Sequence, residues 1–221
     1  MSRRDVTGCF GVVALTKTSP AVSEADGTLR HMTDTLPDGP VRCPWGGDAA
    51  MIAYHDLEWG RELRGDRELF ERMSLEAFQS GLSWAIILRK RDGFREAFAG
   101  FDPEVVAGFG PDDHARLMAD AGIVRNRLKI DATISNARVL LDLDESFSEL
   151  MWSFAPEPRP APRSPSEVPA TTPESVAMAS ALKKRGFRFV GPTTAYALMQ
   201  ATGMVNDHLA DCVARGAAGP G

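Results

Sequence analysis

The sequence predicts an all-α fold, and three of its features support this prediction. Along residues 125–141 the apolar side chains recur every three or four positions, which is the spacing of one face of a helix. Asp102-Pro103 and Thr172-Pro173 each pair a capping residue with a proline, a common start of a helix. No segment shows the sustained alternation of apolar and polar residues that is typical of a half-buried strand.

The order of the helices follows from such start signals and from the glycines that end helices. Asp48 and Thr193 are predicted to cap helices, Ser146 and Glu149 to form a capping box, and Gly186 to follow a helix in the left-handed conformation. The predicted helices cover residues 49–57, 68–80, a short stretch from 103, then 111–122, 125–141, 147–154, 173–185 and 194–202.

Length and composition limit the classes of protein to consider. The chain has 221 residues, 43% hydrophobic and 25% charged, enough for one core or a core with a small subdomain. It has no run of about 18 uncharged apolar residues and no N-terminal signal segment, so we expect a cytoplasmic protein without a membrane span. The net charge of −5 argues weakly against DNA binding, but basic clusters at 89–91, 125–129 and 183–188 interrupt the acidic background.

Changes in composition divide the chain into three parts. Residues 1–40 lack sustained periodicity and are predicted to form a disordered N-terminal extension. Residues 41–213 are predicted to form a helical domain of two lobes, separated by an extended surface loop at 156–169 that contains six prolines. Residues 214–221 are expected to be a flexible tail.

Glu76 is an acid within a helix suited to a protein interior, and its position allows two interpretations. Leu69, Phe70 and Met73 belong to the apolar stripe of this helix, and Glu76 borders the stripe. It can therefore face a cavity beside the core while its helix holds it rigidly. Alternatively, it pairs with Arg72 on a solvated surface, a contact that stabilises a helix by only about 0.2–0.5 kcal/mol.

Aromatic residues flank Glu76 in the sequence. Tyr54, Trp59 and Trp84 have flat rings on which a planar ligand can stack. Their alternative role is packing in the core, which is common for tryptophan. Only this packing role is assigned to three other aromatic residues: Trp45, Phe78 and Trp152.

Residues 173–202 predict two helices joined by a tight, glycine-flanked turn. Such a turn exposes backbone N–H groups beside the positive end of the second helix, where a DNA phosphate can dock. Lys183, Lys184 and Arg188 would add attraction to the DNA backbone that does not depend on sequence. The alternative is an ordinary helical hairpin without a ligand.

His208 and Cys212 are four residues apart, a spacing that directs both side chains toward one site on a helix or compact turn. Zinc requires about four nitrogen or sulfur ligands, so two more would be needed. From spacing alone, structural cysteines and a surface histidine remain an equal alternative. Cys9 has no partner at a suitable spacing and receives no role.

Three runs of residues resemble the DNA-3-methyladenine glycosylase I family. They are Ala-Tyr-His-Asp-x-Glu-Trp-Gly at 53–60, Leu-Glu-x-x-Gln-x-Gly-Leu-Ser-Trp at 75–84, and Ala-Leu-Lys-Lys-Arg-Gly-Phe-x-Phe-Val-Gly-Pro-Thr-Thr at 181–194. Asn-Asp-His at 206–208 also follows the family pattern, and the resemblance covers roughly residues 42–212. It implies an all-helical, helix-hairpin-helix DNA glycosylase.

The resemblance also implies roles for individual residues. Glu76 would contact the extruded base as the catalytic residue, beside the base-binding residues Tyr54, Trp59, Trp84 and Met51, with Met51 standing where a tyrosine is common. The implied contacts to the DNA backbone are Lys183, Lys184, Arg188, Gly191 and Thr193. The implied ligands of one structural Zn²⁺ that joins the N- and C-terminal segments are Cys43, His55, His208 and Cys212, although Cys43 and His55 are one residue closer than the pattern expects.

The implied activity is hydrolytic excision of 3-methyladenine from double-stranded DNA by a monomer. No lysine in the matched runs stands at a nucleophile position, which predicts an enzyme without lyase activity. Two alternatives from other classes remain at this point. One is a zinc-stapled DNA-binding module without catalysis, and the other is a hydrolase that uses Cys43 or Cys212 with a histidine as its nucleophile.

Overall fold

A computed structural model describes residues 39–217. Within that range the regular structure is helical, as the sequence predicts, and no strand is present. The helices are α1 (Ala49–Leu57), α2 (Asp66–Gln79), α3 (Trp84–Arg89), α4 (Arg91–Ala97), α5 (Pro103–Ala107), α6 (Pro111–Ala119), α7 (Arg127–Leu141), α8 (Phe147–Trp152), α9 (Pro173–Lys184) and α10 (Pro192–Ala201).

Helix α2 lies at the centre of the apolar core. Its side chains from Leu69 to Phe78 are buried with the exception of Glu71, so solvent reaches almost none of its circumference. Helices α3, α7, α8 and α10 pack against it. Because its neighbours surround it, even the polar residues of this helix lie in the interior, and each needs a partner or a function.

Most of the predicted helix boundaries agree with the structure within about two residues. The side chain of Asp48 accepts a hydrogen bond from the Met51 N–H, and Gly186 has φ +99° after α9, both as predicted. Thr193 was predicted to cap α10, and this prediction is wrong. Gly191 occupies the cap position, and Thr193 lies inside the first turn. Proline at 192 already supplies the fixed φ that favours the first position of a helix.

Two further differences concern short elements. Helices α3 and α4 were not predicted, because each is six or seven residues long and carries no capping side chain. Helix α6 ends at Ala119, three residues before the predicted stop at Gly122. The proline-rich loop contains only a 3₁₀ turn at Pro165–Glu167, in agreement with its predicted irregularity.

The two ends of the described chain lie together. The N–H of Val213 donates to the carbonyl of Val41, and Arg215 donates to the carbonyl of His208 at 2.6 Å. Ala214 is buried, so packed structure continues beyond residue 213. The predicted extension up to Asp38 and residues 218–221 of the tail lie outside the described residues, and the division into two lobes stays a prediction.

None of the described helices is both long and apolar enough to cross a membrane.

Candidate active site and metal centre

A cavity of about 750 Å³ opens beside α2. It is bordered by the chain before and along α1, by the end of α2, by the start of α3, by the proline-rich loop, and by α10 with the segment that follows it. Its wall is mostly apolar and contains few acids, which is the usual composition of a ligand pocket. The residues that border it include Trp45, Met51, Tyr54, Trp59, Glu76, Trp84, Gln200 and Asp207.

Glu76 reaches this cavity from α2 and is 5% exposed. Within residues 39–217 no protein group forms a hydrogen bond with its carboxylate. Burial raises the pKa of Glu76 to about 7, and the nearby positive charge of Arg72 limits this rise. The interpretation of Glu76 and Arg72 as a solvated surface pair is therefore wrong, since both side chains are buried.

The rings of Tyr54 and Trp84 form one wall of the cavity. Their centroids are 5.1 Å apart, and Met51 and Trp59 line the same space. The structure thus brings together Glu76 and the four predicted base-binding residues. Trp45 was predicted to pack in the core, and this prediction is wrong. Its side chain is 37% exposed and lines the cavity, and its ring centroid lies 5.0 Å from that of Trp59. Phe78 is fully buried and Trp152 packs against the core, both as predicted.

Arg72 lies behind the aromatic wall and is 8% exposed. It donates to the Tyr54 hydroxyl oxygen at 2.6 Å and lies 3.5 Å from a Glu58 carboxylate oxygen. Glu58 in turn accepts two hydrogen bonds from Arg91, at 2.5 and 2.9 Å. One member of the basic cluster at 89–91, Arg91, therefore forms an ion pair within the protein. The sequence did not indicate this pairing.

Cys43, His55, His208 and Cys212 form a buried cluster whose ligand atoms all lie within 4.8 Å of one another. The Cys212 sulfur is 3.4 Å from both His55 Nε2 and His208 Nδ1, and the Cys43 sulfur is 3.7 Å from His208 Nδ1. Tetrahedral Zn–S and Zn–N bonds of ordinary length place such atoms about 3.3–3.8 Å apart. The cluster can therefore hold a metal ion.

Hydrogen bonds fix which nitrogen of each histidine is available to a metal. His55 Nδ1 lies 2.7 Å from the Asp56 carboxylate, and His208 Nε2 lies 3.1 Å from the Trp59 carbonyl oxygen. Carboxylates and carbonyls accept hydrogen bonds, so these nitrogens carry the hydrogens. The opposite nitrogens, His55 Nε2 and His208 Nδ1, keep their lone pairs and face the sulfurs, as metal ligands do.

The cluster does not suit a thiolate nucleophile. Burial raises the pKa of the Cys43 thiol to about 11, so without a cation this thiol stays protonated at neutral pH. Burial also lowers the pKa of His208 to about 4, so this ring is neutral and can offer a lone pair. The geometry and the charges together favour a metal centre over the Cys–His hydrolase.

Helices α9 and α10 form the predicted helical hairpin. The side chain of Asn136 on α7 holds its turn, accepting from the Arg188 N–H at 2.8 Å and donating to the Arg188 carbonyl at 3.0 Å. The five residues predicted to contact the DNA backbone are exposed on this hairpin: Lys183, Lys184, Arg188, Gly191 and Thr193.

A polar network around Asp207 was not predicted, although the residue stands in the matched Asn-Asp-His run. Its carboxylate accepts from the Tyr196 hydroxyl at 2.5 Å, from Arg159 at 2.5 Å and from Gln200 at 2.8 Å. Asp207 is 3% exposed and borders the cavity. Arg159 comes from the proline-rich loop, 48 positions before Asp207, so the spacing of the two residues did not indicate this contact.

The fold and the site define a helix-hairpin-helix DNA glycosylase: the described chain is helical, an exposed hairpin carries basic residues, and a buried acid faces an aromatic-lined cavity. The family model for methyladenine glycosylase matches residues 45–215. The chain belongs to the methyladenine glycosylase family.

Individual relatives agree with this assignment. DNA-3-methyladenine glycosylase 1 of Escherichia coli is 46% identical over 177 residues, which are 77% of this chain and 95% of that protein. A crystal structure of 3-methyladenine DNA glycosylase I matches with a TM-score of 0.76 at 46% identity, covering 78% of this chain and 98% of that one. The Staphylococcus aureus enzyme, whose structure addresses 3-methyladenine recognition, matches with a TM-score of 0.75 at 33% identity and covers 79% and 96%.

Proposed function

We infer that the protein excises 3-methyladenine from alkylated DNA, and that Glu76 is its catalytic residue. One observation carries this proposal: a buried carboxylate without a protein hydrogen-bond partner faces a cavity walled by aromatic rings. A buried polar group normally has a partner, so an unpaired one at a cavity indicates a ligand that supplies it. The family match and the relatives named above supply the identity of that ligand.

Charge complementarity explains how such a site selects its base. Methylation at N3 makes the purine cationic, so a carboxylate at Glu76 favours its charge and accepts hydrogen bonds from its edge. Tyr54 and Trp84, with Trp45, Trp59 and Met51 around them, offer surfaces on which a cationic ring stacks. We propose these side chains as the base-binding residues.

The reaction we propose is hydrolysis. Water adds to the sugar carbon that bears the base and gives up one proton to solvent, while the electron pair of the glycosidic bond returns to the purine and neutralises its positive charge. The base therefore leaves without a further proton, and recognition supplies most of the selectivity. No lysine lines the cavity in the part of the chain that the structure describes, which supports an enzyme that forms no Schiff base.

We propose that the buried cluster binds one Zn²⁺ through Cys43, His55, His208 and Cys212. A bound zinc ion would link the segment before and within α1 to the segment after α10. Two thiolates and two imidazoles fill a tetrahedral site and leave no position for water, so the role is structural. Cys43 also borders the cavity, so the same link steadies one edge of the base pocket.

Base release tests the proposed activity directly. Incubation with a methylated DNA duplex should release free 3-methyladenine and leave the DNA strand uncut, because no lyase step follows. An undamaged duplex of the same sequence is the control. Duplex binding without base release by folded protein would contradict the proposal and support a DNA-binding module.

We also propose that the protein is a monomer, which size-exclusion chromatography with light scattering tests.

The hairpin residues yield a separate prediction. Replacing Lys183 and Lys184 with alanine should weaken binding to a duplex and lower the slope of log K against log salt by about one to two, since each lost phosphate contact removes about 0.9. The single-turnover rate at saturating protein should stay near that of the wild type. The double variant Lys183→Arg, Lys184→Arg keeps both charges and serves as the control. An unchanged salt slope in the alanine variant would exclude this surface as a DNA contact.

A further inference from the structure

Arg72 is a buried cation that the proposed reaction does not use. It sits one helical turn before Glu76 on α2, and it is not among the residues that border the cavity. Its guanidinium carbon is 5.2 Å from the Tyr54 ring centroid and 5.5 Å from the Trp84 ring centroid. A positive charge behind the wall of a pocket for a cationic base would oppose binding, so its presence needs a reason.

We propose that Arg72, held by Glu58, is a positioning residue that keeps Glu76 charged and orients the Tyr54 hydroxyl, and that it thereby determines selectivity for cationic purines. This inference rests on the proposed function of the cavity. It concerns residues that support the site and make no contact with the base themselves.

The hydrogen bond to Tyr54 carries the first half of the inference. Arginine only donates hydrogen bonds, so the Tyr54 oxygen accepts from Arg72 at 2.6 Å. The hydrogen of the phenol must therefore point away from Arg72. Tyr54 borders the cavity, so this hydrogen stays available to an acceptor there. Without Arg72 the hydroxyl could rotate, and the aromatic wall would lose its fixed donor.

The charges around Glu76 carry the second half. Arg72 is the charged residue whose field stabilises the Glu76 carboxylate, and it counteracts the burial that raises the pKa of Glu76 to about 7. Glu58, shared with Arg91, lies 3.5 Å from Arg72 and offsets its charge. The formal charges of two arginines and two glutamates, Arg72, Arg91, Glu58 and Glu76, sum to zero. This group of residues therefore has no excess positive charge to repel a cationic base.

Other titratable groups approach Glu76 from the neighbouring elements. Tyr54 on α1 and Asp48 at its cap border the same cavity, and so do Cys43 and Asp207. Lys129 on α7 donates to the carbonyls of Phe78 and Ser80 at the end of α2, at 2.8 and 2.6 Å. Asp207 is paired with Arg159, and Asp48 lies 3.7 Å from Arg89, so both acids already have positive partners.

The direction of the pH effect follows from these contacts. The active form of Glu76 is the carboxylate, so activity rises as pH passes through its pKa. Removing Arg72 removes the charge that favours the carboxylate, so the midpoint should move to higher pH. Removing the charge of Glu58 leaves Arg72 without its counter-charge and takes away an anion, so the midpoint should move to lower pH.

The experiment is the pH profile of single-turnover 3-methyladenine release from a methylated duplex. It compares the full-length, metal-loaded wild type with Arg72→Met, Arg72→Lys and Glu58→Gln, over about pH 5.5–9. Arg72→Met should move the midpoint upward by about one pH unit or more, with activity recovering at high pH. Arg72→Lys keeps the positive charge, so its midpoint should lie close to that of the wild type. Glu58→Gln should move it downward. Thermal unfolding and metal content confirm that each variant is folded.

Two outcomes would overturn the inference. One is an unchanged midpoint in folded Arg72→Met, or an equal loss of activity at every pH that lysine does not restore. The other is Glu58→Gln with the midpoint of the wild type, which decides the matter if Arg72→Met does not fold. Base release by the wild type is measured in the same series, so the proposed function stands or fails independently of Arg72.

Discussion

Replacement of Glu76 with glutamine is expected to lower the single-turnover rate of 3-methyladenine release by about 10²–10³-fold, the usual effect of losing one preorganised electrostatic contact to a developing charge. Glutamine has the same shape but cannot carry the negative charge that favours a cationic purine. Its amide also offers a donor where the base presents donors. The measurement is base release from a methylated duplex under saturating protein.

The same substitution is expected to make the protein more stable at neutral and alkaline pH. Burial raises the pKa of Glu76 from its usual value to about 7, so the folded protein binds its proton more tightly than the unfolded chain. The wild type therefore loses stability as the pH rises from about 4.5 to about 7, and above that the loss is constant at roughly 1–3 kcal/mol. The gain in the variant should grow across the same interval.

Glu68→Gln is the matched control, because this residue is an exposed glutamate on the same helix. It should change neither base release nor the pH dependence of unfolding. A Glu76→Gln protein that releases 3-methyladenine at the rate of the wild type would remove Glu76 from the mechanism. Slower release together with higher stability would agree with an acid retained for function at a cost in stability.

Loss of the proposed zinc ion is expected to have the second large effect. Replacing Cys212 with serine should reduce the zinc content from about one ion per chain to a small fraction, because a thiolate ligand is lost. The cluster joins residues 165 positions apart, from Cys43 to His208, and in the chain-entropy description a link of that length stabilises a fold by about 5 kcal/mol. Unfolding by denaturant, followed by circular dichroism, measures the difference.

Activity should fall together with the metal. The linked segment includes Trp45, Met51 and Tyr54, so freeing it loosens the wall on which the base stacks. Cys9→Ser is the control for cysteine chemistry, and it should keep both zinc and stability. Full base release by zinc-free Cys212→Ser protein, with an unchanged unfolding midpoint, would contradict a structural metal centre.

The local pattern of the sequence was sufficient for the longer helices. Their starts depend on contacts within one turn, such as the Asp48 side chain with the Met51 N–H, and on prolines at the first helical position. The short α3 and α4 have no such signals and are held by packing, so the sequence did not reveal them.

The candidate site was predictable where short motifs carry it. Glu76, Tyr54, Trp84, His55 and His208 lie in runs that resemble one family. The structure brings the first three to one cavity and places the two histidines with Cys43 and Cys212 in an adjoining cluster. Trp45 was missed because it stands outside those runs, and its place in the cavity depends on the path of the chain before α1.

The sequence by itself determined the helical class and the family, and it supplied the candidate side chains of the site, because capping, periodicity and motif residues act over a few positions. Only the tertiary structure decided that α2 is enclosed on nearly all sides, that Arg72 stands between Tyr54 and Glu58, and that Arg159 reaches Asp207. The physical reason is that the ionisation of a buried acid depends on how completely neighbouring helices exclude solvent from it and on the cations that distant segments bring near it. Neither quantity is encoded at the position of the acid itself.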